Sequence, residues 1–222
     1  MNCTDFSVAA METLGMVFIS TFFAYLIGGP IGVILNVSSK NGLKPCKWLN
    51  SLLGIIVNIF RSIPCLIIVV VLIPVVRELL GKGTGRWWTM IIPLTVAAFG
   101  FVSRMVEQSL AEVEKGKIEA VESLGATNLQ IIFKVLIPEA RASLISGLAV
   151  VLVSVLGYTS FAANTGSKGL IHGIMFIYDN DPELYYENPK FWILIIIVVV
   201  LVQIIQELGL FISRKLDKRR IK

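Results

Sequence analysis

KIEAVESLGATNLQIIFKVLIP, residues 117–138, is a polar island between segments apolar enough to cross a bilayer. Within it stand Glu119-Ala120-Val121, then Gly125, then Val135-Leu136-Ile137-Pro138. Residues 119–124 favour a helix. Gly125 is the residue best able to take the left-handed backbone position that closes one, and Thr127 with Gln130 has the capping-box spacing that opens another. Pro138 lacks a backbone donor, so it is expected to stop or kink the second helix. The stretch therefore reads as two short helices with a hinge, a compact knob in water braced on both sides by membrane segments.

Working outward, the chain has 222 residues, 55% of them apolar, and a mean hydropathy of +0.80. That is too apolar for an ordinary soluble domain and too short for two large ones. About 20 mostly apolar residues cross the hydrocarbon core, and charge-free runs supply five such spans. They lie within residues 13–40, 47–77 (interrupted only by Arg61), 86–104, 141–168 and 190–207. The expected fold is all-α: a polytopic membrane protein of five transmembrane helices. Prolines and glycines inside the spans, such as Gly28, Gly29, Pro30, Pro64, Pro74 and Pro93, are tolerated where neighbours satisfy the backbone. The N-terminus has no basic region ahead of its first apolar run, so no cleavable signal peptide is expected and the first helix serves as the insertion signal.

Five spans put the two termini on opposite faces. With the C-terminus inside, Lys40, Lys44, Lys47, Arg104, Lys115, Lys117, Lys134, Arg141, Arg214, Lys215, Lys218, Arg219, Arg220 and Lys222 all fall inside, fourteen basic residues. Only five, Arg77, Lys82, Arg86, Lys168 and Lys190, fall outside. Positive-inside bias places the N-terminus outside, the knob and the basic tail of residues 214–222 in the cytoplasm, and membrane lipid, not nucleic acid, against the basic residues.

Covalent chemistry finds no support in the sequence. Gly81-Lys82-Gly83-Thr84-Gly85 lacks the spacing of a phosphate-binding loop and reads as a flexible external turn. His172 is the only histidine and reads as a solvated loop residue, and Cys3, Cys46 and Cys65 lie far apart without metal-knuckle spacing. The spans hold no aspartate, which excludes an aspartyl pair in the membrane. No catalytic, cofactor or metal site is expected.

Arg61 is the most costly residue inside a span, at roughly 2.5–3.5 kcal/mol on insertion scales. It stands in Asn58-Ile59-Phe60-Arg61-Ser62-Ile63-Pro64, where the proline frees the Phe60 carbonyl and a kink could line a polar path. Two readings stay open: a wall of that path, or a snorkelling anchor at the cytoplasmic interface behind an interfacial helix at residues 52–60. Outside the membrane, Asp179, Asp181, Glu183 and Glu187 stand among Tyr178, Tyr185 and Tyr186, either as a solvated loop or as a docking rim. Gln203 and Glu207 share a helix face near the inner end of the last span, by cytoplasmic solvation or as a polar dimer contact. No internal repeat pairs two halves, and five helices rarely enclose a path, so a homodimer is expected.

The knob resembles the cytoplasmic loop of permease subunits of ATP-binding-cassette importers, whose pattern is Glu-Ala-Ala, Gly three residues later and Ile-x-Leu-Pro after nine more. The spacing here matches at each step, with Val121, Val135 and Ile137 as conservative replacements. The resemblance implies the type I importer permease fold over residues 12–213, and docking of the knob, through Glu119, Ala120, Gly125, Val135 and Pro138, on a separate ATPase. Two ATPase subunits that carry the ATP, a second copy of this chain and an extracytoplasmic substrate-binding protein are the implied partners in a bacterial cytoplasmic membrane. Asn58 to Pro64, Ile92-Pro93-Leu94-Thr95-Val96, Arg104-Met105-Val106-Glu107 and Gly157-Tyr158 look like the methionine-uptake branch, which implies L- and D-methionine as cargo. A permease of the same class for another small amino acid or peptide, and a non-transporting membrane regulator coupled to an ATPase, are the alternatives. Phe99-Gly100 stands where that branch usually has a small residue and proline, and residues 166–171 are less glycine-rich than their usual counterpart. Arg61, Ser62, Pro64, Tyr158 and Phe161 are the candidate path and gate residues. Phe161 stands where the branch has a methionine, and facing its symmetry mate it would plug a two-fold axis.

Overall fold

The computed structural model describes residues 3–81 and 85–217, and all regular structure among them is helical. Lys82, Gly83 and Thr84 of the glycine turn, and Lys218, Arg219, Arg220 and Lys222 of the basic tail, lie outside the described residues, as does the Cys3 side chain.

Nine helices are described: α1 (Cys3–Ser38), α2 (Lys47–Ser62), α3 (Cys65–Leu80), α4 (Ile91–Ala111), α5 (Lys115–Ser123), α6 (Asn128–Ile131), α7 (Ile137–Asn164), α8 (Leu170–Asn180) and α9 (Pro189–Leu216). Four stretches, Asp5–Ser38, Trp87–Ala111, Asn128–Asn164 and Pro189–Leu216, are long and apolar enough to cross a membrane. Counted together as one broken span, α2 and α3 make a fifth, bent by 97°. The span count agrees with the hydropathy reading; the shape of the second span does not. A kinked helix was expected through Pro64, yet α2 ends at Ser62, Ile63 is extended, and Pro64 opens α3 at φ −55°, ψ 136°. The residue before a proline avoids the helical region, so Ile63 breaks the helix outright and makes a corner.

The first span also begins well ahead of residue 13, carrying Asp5 and Glu12 in its first turns. The third runs on past Arg104 to Ala111. Helix α4 is the centre of the molecule, with 61% of its most apolar window buried against 11% for α9. Apolar side chains gain nothing by leaving lipid, so close packing and polar contacts hold such helices together. Gly28 and Gly32 provide the closeness, since a Cβ on either would meet the Phe99 carbonyl at 2.6 Å or the Ser103 carbonyl at 2.5 Å. Polar contacts flank that seam: Ser20 Oγ donates to the Ile91 carbonyl and Asn36 Nδ2 to the Glu107 carbonyl, each at 3.4 Å. On the α9 face turned from the bundle, Trp192, Ile196, Val200, Ile204, Leu208 and Phe211 are exposed, as a lipid-facing surface requires.

The end of the bundle that follows Asn164 is more structured than a solvated loop. Gly166 and Gly169 take positive φ, and after them α8 forms, held to α1 where the Leu170 amide donates to Thr13 Oγ1 at 2.9 Å. A Cβ at Gly169 would press on that same Thr13 oxygen at 2.8 Å, so the crossing requires glycine. His172 sits on this helix, stacked on Phe176 at 6.5 Å between ring centroids. It is a helix residue, contrary to the loop expected for it.

Candidate functional site

Two places in the fold gather the residues singled out by the sequence. The first is the knob. Helix α5 closes with a pair of hydrogen bonds that the left-handed Gly125, at φ +81°, makes possible: the Gly125 amide donates to the Glu122 carbonyl at 2.9 Å and the Ala126 amide to the Val121 carbonyl at 3.4 Å. Two residues on, the capping box forms as expected. The Thr127 amide donates to Gln130 Oε1 at 2.9 Å, and the Gln130 amide donates back to Thr127 Oγ1 at 3.4 Å.

Pro138 does not end the second helix. A π-helical turn, Ile132–Leu136, carries α6 directly into α7, with Pro138 in the first turn of α7. The wider turn accommodates a residue that has no amide to donate and whose ring would crowd the preceding carbonyls. The knob's second helix and the fourth span are thus one continuous rod, without the stop expected at Pro138. Lys117 Nζ pairs with Glu139 Oε2 at 2.6 Å, and so ties α5 to the root of that rod.

The proposed contact residues divide by exposure. Glu119, Ala120, Gly125 and Pro138 face outward, while Val135 is half-buried. Val135, Ile118, Val121 and Ala126 pack on the same apolar core as Val102, Val106 and Leu110 of α4 and Val151 and Val155 of α7. The knob is therefore the tip of the membrane core. Its outer surface holds a patch that sequence reading missed: Leu124, Leu129 and Phe133 are 86%, 67% and 66% exposed. The available signal was Leu129 and Phe133 one helical turn apart, on a helix whose Ile131 is buried. Apolar side chains on opposite faces of a short helix outside the bilayer call for a second covering surface.

The second place is the corner between α2 and α3. Helix α2 rests on α4 through Gly100, where an added Cβ would meet Arg61 Cγ and the Val57 carbonyl, each at 3.3 Å. Phe60 and Phe99 meet edge to face at 4.8 Å between centroids. The Phe99-Gly100 pair that departs from the family's usual residues is therefore the seat of this corner. Gly100 lies near the middle of the apolar stretch Trp87–Ala111, so the aliphatic stem of Arg61 packs opposite the middle of α4. Arg61 and Tyr158 line one cavity of about 160 Å³, together with Phe60, Ile63, Cys65, Ala97 and Phe101. Ser62 and Pro64 are exposed at the corner, with Ser62 Oγ bonded to the Asn58 carbonyl at 2.8 Å. Phe161 stands apart from that cavity, half-buried on α7.

A residue not counted as a site residue holds the corner. Arg104 pairs with Glu107 Oε2 at 2.6 Å and reaches across to Asn58 Oδ1 at 2.9 Å and the Gly54 carbonyl at 3.3 Å. The sequence signal was Arg104 and Glu107 three apart inside an apolar span; its target, 46 residues away, was not readable. Among the described residues no three His, Cys, Asp or Glu side chains gather as a metal site needs.

Residues 28–218 match the model of the family described as binding-protein-dependent transport system inner membrane components. The chain belongs to this family. It is accordingly a multi-pass permease component of the cytoplasmic membrane. Among relatives of this permease, the probable D-methionine transport system permease protein MetI of Vibrio cholerae is 38% identical over 99% of this chain and 95% of its own length. The D-methionine transport system permease protein MetI of Escherichia coli is 43% identical over 67% of this chain and 68% of its own. A solved inward-facing conformation of the MetNI methionine ABC transporter superposes with a TM-score of 0.90 at 35% identity, over 98% of this chain and 100% of that one. An amino acid ABC transporter solved with histidines, 19% identical with a TM-score of 0.75 over 95% of this chain and 93% of that one, shares the fold.

Proposed function

We propose that this permease is the membrane subunit of an ATP-driven importer that carries methionine, in its L and D forms, into the cytoplasm. The observation that carries the reading is identity sustained across nearly the whole chain with a permease named for D-methionine transport. The exposed Leu124, Leu129 and Phe133 patch, with Glu119, Ala120 and Gly125 around it, is the surface on which the ATPase docks. Two ATPases hold the ATP, and this chain binds no nucleotide or other cofactor. Because the knob's inner side belongs to the core of α4 and α7, closure of the ATPases tilts those helices and switches the path between inward-open and outward-open states. That coupling requires different contacts with the ATPases in each state.

Two copies of the chain enclose the path, each with its N-terminus outside and its C-terminus in the cytoplasm. An extracytoplasmic binding protein delivers the cargo at the outer face, where Tyr178, Tyr185 and Tyr186 stand with Asp181 and Glu183. Phe161 closes the two-fold axis, so Phe161→Ala raises ATP-independent leak of substrate from proteoliposomes; an unchanged leak removes it from that role. The cargo is tested by uptake of radiolabelled methionine into proteoliposomes holding the whole complex, with leucine and glutamine as competitors. Transport of another solute without methionine keeps the permease and overturns the cargo.

A further inference from the structure

The two arginines at the α2–α3 corner are treated oppositely by the fold. Arg104 has three partners, Glu107, Asn58 and the Gly54 carbonyl. Among the described residues Arg61 has no hydrogen bond or ion pair, yet its stem packs on Gly100 near the middle of the α4 span, and its exposed side chain borders a cavity of about 160 Å³. An unpaired guanidinium at that depth is costly, and such residues face a water-filled path or a partner that arrives with function. The other lining residues are apolar, Phe60, Ile63, Ala97 and Phe101, apart from Tyr158 and Cys65.

We infer that Arg61 is a specificity-determining residue that receives the carboxylate of the amino acid in transit, with Tyr158 as a second hydrogen-bond donor and Phe60, Ile63 and Phe101 against the side chain. The assignment rests on the importer reading and names the chemical group recognised inside the membrane. A planar fork of donors suits a carboxylate, and a single charge-assisted contact strengthens in a low-dielectric wall. One cation with one phenol holds the passing anion weakly enough for release, as a path requires. Among the described residues no carboxylate lines the cavity, and Glu107 of α4 is held by Arg104.

Cys65 borders the same cavity and reports its occupancy. In the complete complex with Cys3→Ser and Cys46→Ser, the rate of Cys65 modification by N-ethylmaleimide is measured without ATP or binding protein, in L-methionine and in L-methioninol, which lacks the carboxylate. L-Methionine slows labelling with an apparent affinity roughly tenfold or more better than the alcohol, as for one charge-assisted hydrogen bond. Arg61→Gln abolishes that preference, and Arg61→Lys restores part of it. Uptake falls in Arg61→Gln while the variant still co-elutes with the other subunits on size exclusion, so it is assembled. Equal protection by acid and alcohol, no protection by either, or wild-type behaviour of Arg61→Gln overturns the assignment. If the wild-type complex instead imports a different amino acid, the cargo reading fails, and the same comparison with that amino acid and its alcohol still decides Arg61.

Discussion

At the residue scale, single atoms decide which glycines and arginines matter. Gly28, Gly29 and Gly32 are interchangeable as symbols in an apolar run. In the fold, Gly32 lies against the Ser103 carbonyl at the distance of an added Cβ of 2.5 Å, whereas a Cβ on Gly29 meets nothing within 4 Å. Gly32→Ala is therefore expected to force α1 off α4 at a cost of about 1–3 kcal/mol, read as a lower melting temperature of the purified complex. Gly29→Ala should leave it unchanged, and equal effects would refute the seam. The arginines divide in the same way. Arg104→Gln strips Glu107, Asn58 and the Gly54 carbonyl of their shared partner and is expected to cost at least about 1.5 kcal/mol, lowering the yield of assembled complex on size exclusion. Arg61→Gln removes a charge that has no hydrogen bond or ion pair among the described residues and should assemble at the wild-type level; a comparable loss of assembly would mean that Arg61 is structural. The charges of Arg61 and Arg104 were legible in the sequence, but their different surroundings were not.

At the scale of elements, local rules performed well wherever the cause was local. The capping box at Thr127 and Gln130 and the left-handed Gly125 are settled within six residues, and both appear as read. Pro138 is also local, yet its consequence was misjudged, because a π-helical turn absorbs it and lets α6 and α7 run as one rod. This continuity joins the knob to the fourth span without a break, and the surface it presents carries Leu124, Leu129 and Phe133. Leu124→Asp with Phe133→Asp should release the ATPase subunits during purification while the permease keeps its helical circular dichroism, since both side chains are exposed in the isolated chain. Retention of the ATPases by the double variant would place docking elsewhere. Thr127→Ala, which removes one capping bond, is expected to be milder, at about 0.5–2 kcal/mol of local helix stability, and to weaken coupling without abolishing docking.

At the scale of the whole molecule, the knob and the aromatic end of α8 lie at opposite ends of the bundle. Cysteines introduced at Leu124 and at Tyr186, in a chain lacking its own, should react with an impermeant maleimide only from the cytoplasmic and only from the outer side respectively. Labelling of both from one side would overturn the topology. The sequence by itself determined the number of spans, the knob and its caps, because hydropathy and capping act between neighbours along the chain. Only the tertiary structure decided that α4 is the hub, that Pro64 makes a right-angled corner, and that Arg104 is satisfied while Arg61 borders a cavity. Those outcomes depend on contacts between residues tens of positions apart, such as Asn58 with Arg104 and Gly32 with Ser103, whose geometry no local pattern encodes.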